Sequence, residues 1–207
     1  KDQYDFSIYD NNQDGTIDFL IVFWSGPKGN WATFWWAWCI TGFPDTNYQI
    51  DGKYLNVFAW IFEEGDPGDG FHPKVTIHET GHALGLPDYY DYDENVGISG
   101  GVGGLDMMHG NWGDHNSFSK WLLDWTTPTF ITEPDQLHQI RLRPASQYPD
   151  CIMMAKNAEA GNPFQEFFMV EHRNRIASNT SNDFDHPNDG VLIWHVDATL
   201  NAQQNGF

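Results

Sequence analysis

The sequence predicts an α+β fold, and three observations carry the prediction. Segments 31–40 and 54–62 are rich in aromatic and β-branched residues, the composition of strands. Segment 74–84 spaces Val75, His78 and His82 by the helical period instead of the alternating one. Beyond Pro128 short apolar runs return between polar turns, so the C-terminal part is strand-rich. The expected architecture is a mixed twisted sheet with one functional helix, followed by that strand-rich part. A chain of 207 residues can bury a real core in this form, as one region with two lobes, about 1–86 and about 87–207.

Taken in order, the chain opens on an acidic turn around Asp10, Asn12, Asp14, Thr16 and Asp18, and a strand over 19–24 follows it. Gly26, Pro27 and Gly29 mark 25–30 as a loop, and 63–73 is a second one, dense in Gly, Pro and Asp. The helix over 74–84 is stopped by Gly85 and Pro87. Segment 89–106 is too glycine-rich for a regular element. A second helix fits 117–125, with Ser117 as its N-cap. Strands are expected at 139–142, 167–171 and 191–196, with a polar turn over 179–190.

Composition narrows the partners. The chain carries 29 Asp and Glu against 10 Lys and Arg, a formal charge of -19, which repels nucleic acid phosphates and anionic membrane surfaces. No apolar run reaches the length that spans a membrane. Its 10 Trp, 8 Tyr and 15 Phe argue for a folded protein. Cys39 and Cys151 are consistent with one disulfide or with two thiols, and the lack of a CxxC pair excludes cysteine-based zinc or redox chemistry.

The chemistry concentrates in His78-Glu79-Thr80-Gly81-His82. Histidines four apart share one face of a helix, close enough to hold one ion, and Glu79 can reach a water on that ion without binding the ion itself. Zinc lowers the pKa of such a water toward neutrality, and a carboxylate takes its proton as it attacks a carbonyl. That is the minimum equipment for hydrolysing a peptide bond. A third ligand is needed, and Gly85 lets the chain leave the helix sharply enough for a residue three positions later to return. Where HExxHxxGxxH peptidases have His, this sequence has Asp88, a sound oxygen ligand. Asp88 as the cap of a turn and an acidic residue within 91–94 as the ligand are the other readings.

Asp10, Asn12, Asp14, Thr16 and Asp18 alternate as the first half of an EF-hand loop does, with Gly15 at the sixth place, so Ca²⁺ is expected there. Ile21 stands where the bidentate Glu of an EF-hand would be, so the loop is not one; an acidic hairpin turn is the alternative. A second carboxylate cluster, Asp88, Asp91, Asp93 and Glu94, suits Ca²⁺ or an exposed loop equally. His195 in an apolar strand is either a structural group or an oxyanion or substrate contact; His72, His109 and His115 are weaker candidates. No GxSxG motif supports a serine hydrolase.

Several blocks together resemble the immune inhibitor A-type metallopeptidases, secreted bacterial proteases with a metzincin-like catalytic domain. They are Asp14-Gly15-Thr16-Ile17-Asp18, the run HETGHALGLPDYYD from His78, Asp106-Met107-Met108 with Asn111-Trp112-Gly113, and the stretch from Ser119 to Trp125. Phe168-Met169-Val170-Glu171 and the stretch from Gly190 to Asp197 complete them. Asp124 stands where the family usually has Gly. The resemblance implies a zinc endopeptidase acting on extracellular proteins, secreted as a precursor, with a propeptide and accessory domains outside these residues. It also implies that Met108, or Met107, forms the soft floor below the metal. Two other classes remain as alternatives: a calcium-stabilised binding or adhesion module with a vestigial HExxH helix, and a zinc hydrolase acting on something other than protein.

Overall fold

The acidic loop leads into a two-residue strand, Thr16–Ile17 (β1), and then an eight-residue one, Leu20–Pro27 (β2). These come from a computed structural model that describes residues 4–27, 37–43, 45, 47–64, 68, 70, 71, 73–92, 95, 101–110, 113–133, 135–155, 161–175, 183 and 186–200. The chain divides into two units, Lys1–Asp88 and Tyr89–Phe207.

In the first unit, Trp38–Thr41 (β3), Gln49–Ile50 (β4), Lys53–Leu55 (β5) and Val57–Glu64 (β6) join β1 and β2 in two three-stranded sheets. One has the order β2-β6-β3, with β2 parallel and β3 antiparallel to β6. The register aligns Ile21, Ala59 and Cys39 in one row across it. The other has the order β1-β5-β4. The single strand expected over 54–62 is therefore two, because β5 and β6 belong to different sheets. Asn56 marks the break, and both its carbonyl and its side-chain oxygen accept the Gly42 N–H. β4 and β5 are joined through Asp51 and Gly52, both at positive φ (50° and 78°), the backbone of a two-residue type I′ hairpin. Residues 31–36 of the expected strand 31–40 lie outside the described residues. The helix Pro73–Ala83 (α1) packs against β3 and β6, where Ala59 and Ile61 are fully buried. Proline opens α1 at no cost, since the first helical N–H has no partner within the helix.

In the second unit, Thr129–Ile131 (β7), Ile152–Met154 (β8), Glu166–Arg173 (β9) and Gly190–Asp197 (β10) form one sheet of order β10-β9-β8-β7. Its inner face carries Met153, Phe167 and Met169, packed on Phe118 and Trp121 of the helix Ser117–Leu122 (α2). Segment 139–142 is not a strand; it passes beside β9, with the Leu142 carbonyl accepting from His172 Nδ1 at 3.2 Å and Pro144 bridging to His172. Beneath the sheet Arg173 is buried among Glu171, Asp183 and Asp114, so its charge is matched where water is excluded.

The N-cap of α2 is Asn116, not Ser117: the Asn116 side chain accepts the Ser119 N–H at 2.9 Å. At the other end, Trp125 N–H reaches the Lys120 carbonyl (2.8 Å) and Asp124 N–H the Trp121 carbonyl (3.1 Å), the paired bonds of a Schellman motif. That motif puts position 124 in the left-handed region, at φ 57°. Asp is among the few side chains that tolerate it, and glycine does so without strain. Asp124→Gly is expected to stabilise the protein by about 0.5–1 kcal/mol, net of the greater freedom of glycine in the unfolded chain. A thermal denaturation midpoint higher by roughly 1–4 °C is the corresponding observation, and Asp124→Ala should lower it.

Candidate metal centre

The centre is assembled from one helix and the turn that ends it. His78 and His82 lie one turn apart on α1, and their rings meet edge to face with centroids 4.8 Å apart. Gly85, at φ 96°, closes the helix: Leu86 N–H bonds the Gly81 carbonyl (3.0 Å) and Gly85 N–H the His82 carbonyl (2.9 Å). This is again a Schellman turn, with Leu86 buried beneath it as its apolar anchor. The turn reverses the chain and returns Asp88 to the histidines. His78 Nε2 and His82 Nε2 lie 3.0 and 3.2 Å from the same oxygen, Asp88 Oδ1.

These atoms fit a metal ion in spacing and in chemistry. Two ligand atoms about 2.0–2.1 Å from a tetrahedral zinc stand roughly 3.3 Å apart, close to what is observed. His82 Nδ1 lies 2.8 Å from the Leu86 carbonyl, which can only accept, so Nδ1 carries the proton and Nε2 presents its lone pair. A lone pair facing a carboxylate oxygen at 3.2 Å is repulsive unless a cation or a proton lies between them. Among the described residues, His78, His82 and Asp88 form the one group of three or more His, Cys, Asp or Glu whose ligand atoms all lie within 4.8 Å of one another.

Glu79 follows the first of these histidines and is 4 % exposed. Burial pushes its pKa up to about 7, the Asp88 carboxylate adds to the rise, and the Cys39 backbone N–H donating to it opposes both. A carboxylate near neutrality is matched to proton transfer at physiological pH. The Cys39 contact comes from β3, forty residues away in sequence, and no motif signals it.

A stability consequence follows for the metal-free protein. Below pH 4.5 Glu79 is protonated both folded and unfolded. As pH rises to about 7 the unfolded chain releases the proton while the folded one holds it, so stability falls; above that the penalty is constant. Metal-free Glu79→Gln should therefore gain on the wild type between pH 4.5 and 7, by about 1–3 kcal/mol at the plateau. Denaturant unfolding of both proteins across that range checks it, and a difference that does not change with pH would contradict it.

The residues expected to bind calcium lie in a loop held by its own hydrogen bonds. Asp10 is buried with Lys53 Nζ 2.6 Å from its Oδ2, and it accepts the backbone N–H groups of Asp14 and Gly15 at 3.0 Å. The ammonium holds the Asp10 carboxyl below the ordinary carboxylate range. Asp18 Oδ2 accepts from Asn11, Asp14 Oδ1 from the Thr16 N–H, and Asp14 Oδ2 from Asn12. The Asp14 N–H is shared by Asp10 Oδ1 (3.0 Å) and Asn12 Oδ1 (3.1 Å), and Lys53 supplies a positive charge at Asp10.

Asp91 falls in the second unit, while Asp93, Glu94 and His72 lie outside the described residues. Met108, also in the second unit, is fully buried in a short 3-10 turn, Met107–His109. Asp106 caps that turn, accepting the N–H groups of Met108 (2.7 Å) and Asn116 (2.6 Å). His109 Nδ1 lies 3.1 Å from the Tyr89 carbonyl, and His115 is buried beside Asp106. His195 is exposed on β10, stacked on Phe168 and 2.8 Å from Glu166. Cys39 and Cys151 are both free thiols.

No family model, curated protein or solved structure matches this chain. Among the described residues, no helix is long and apolar enough to cross a membrane.

Proposed function

We propose that the chain is the catalytic region of a secreted, metzincin-like zinc endopeptidase of the immune inhibitor A type, acting on extracellular proteins or peptides. His78, His82 and Asp88 would hold the zinc, with Glu79 as the proton-transfer group. The observation that supports this most is the meeting of two imidazole Nε2 atoms on one Asp88 oxygen, with a buried carboxylate at the adjoining position. When bound, zinc polarises both the substrate carbonyl and the attacking water. Glu79 would accept the proton of that water and later deliver it to the leaving amine, a role its place directly after His78 allows. The turn at Gly85 fixes Asp88, and the Leu86 carbonyl fixes the His82 ring, so the ligand side chains are oriented before any metal arrives.

The test is metal content together with proteolysis. After dialysis the protein should retain one zinc per chain and hydrolyse casein; phenanthroline should abolish the hydrolysis and added zinc restore it. A chain that binds no zinc, or that cleaves casein unchanged in the chelator, would sink the reading.

A further inference from the structure

In a chain with 29 acidic and 10 basic residues, a cation is expected to find a carboxylate. Lys53, Lys120, Arg143 and Arg173 each do, and Arg175 Nη1 donates to the Pro187 carbonyl. Arg141 is exposed and, among the described residues, has no hydrogen bond or close ion pair, though its charge helps to hold the Asp150 carboxyl below the usual range. It lines a cavity of about 420 Å³ in the second unit, together with Arg143, Asp150, Thr129, Ile140 and Pro149. That volume falls in the range of small-molecule sites, about 300–1,000 Å³.

Arg143 is held rigidly there. Its Nε and Nη2 each donate to the Asp150 carboxylate at 2.7 Å, its backbone N–H donates to the same group at 3.1 Å, and its guanidinium lies 4.1 Å over the Tyr148 ring. A guanidinium has five N–H donors, so about three of those on Arg143 are left over. The charged groups lining the cavity are two guanidiniums and one carboxylate. The cavity is locally cationic in a strongly anionic molecule, and at physiological salt the more distant carboxylates are screened over about 8 Å.

We propose that this cavity binds a small carboxylate, its charge taken by Arg141 and the outer N–H groups of Arg143 and its apolar body resting on Ile140 and Pro149. The planar fork of a guanidinium matches a carboxylate in shape as well as charge. The single surplus positive charge of the lining favours a singly charged acid over a multiply charged phosphate. A free short-chain acid and the C-terminal carboxylate of a peptide present the same chemistry. This site does not depend on the proposed zinc centre.

The test is titration of the intact chain with isovalerate, with acetyl-Ala-Leu, and with acetyl-Ala-Leu amide, followed by backbone amide NMR. The acids should produce saturable shifts at 127, 129 and 140–143, and the amide none. Shifts with isovalerate indicate a free acid, and shifts with the dipeptide alone indicate a peptide terminus. Arg141→Ala should weaken binding at least about tenfold and Arg141→Glu abolish it; since Arg141 holds no internal bond, neither should perturb folding. Raising the salt should weaken binding too. Equal binding of the amide, an affinity unchanged in Arg141→Ala, or no shift at these amides with either acid would overturn the proposal.

Discussion

Glu79→Gln is expected to lower the rate of casein hydrolysis by about 10²–10⁴-fold, the usual contribution of a general acid–base group, while zinc content stays at the wild-type level. In activation energy this is about 3–5 kcal/mol. Gln keeps the size of the side chain and an oxygen that can accept the Cys39 N–H, so the helix and the imidazoles of His78 and His82 are left in place. What it lacks is a site for the proton of the attacking water. Measuring zinc and casein turnover on the same preparations separates chemistry from metal loss. A variant that binds zinc and remains as active as the wild type would remove Glu79 from the mechanism. Loss of both zinc and activity would show instead that position 79 supports the ligands.

What could be read in the sequence is what local geometry dictates. The helical period puts His78 and His82 on one face whatever surrounds them, and Gly85 ends that helix because its left-handed φ is open to glycine. At position 124 the observed φ of 57° lies where glycine is unstrained and the resident Asp is a tolerated substitute. Interactions between distant segments were not legible. Lys53 beside Asp10 is 43 residues away in sequence, and nothing in the acidic alternation announces it. Asn56 divides what reads as one strand because two sheets compete for its neighbours, a competition that composition does not record. Segment 139–142 has strand composition, but among the described residues its hydrogen bond to β9 is the one from His172 to the Leu142 carbonyl. Propensity is a weak prior wherever tertiary partners decide the outcome.

Asp88 separates two accounts of the centre through opposite effects of one substitution. If it is the third ligand, Asp88→Ala should weaken zinc binding by well over 100-fold, since even changes in groups that only orient a ligand cost about 10–100-fold. Asp88→His, which restores the pattern His-Glu-x-x-His-x-x-Gly-x-x-His, should keep the metal. If Asp88 merely capped the turn, Ala would cost about 1 kcal/mol of stability and the zinc would stay. The metal-free proteins sharpen the contrast. There the Asp88 carboxylate faces the His82 ring at 3.2 Å and helps to hold the Glu79 pKa up. Asp88→Ala should then make the metal-free chain no less stable near pH 8 while removing its capacity for zinc, and Glu79 should titrate lower than about 7. A ligand set that is repulsive until a cation enters is expected where the site was shaped for binding the ion and not for the stability of the empty protein. Unfolding of the metal-free variant near pH 8, alongside its zinc affinity, decides the matter: stability lost with zinc retained identifies a cap, and zinc lost with stability retained identifies a ligand.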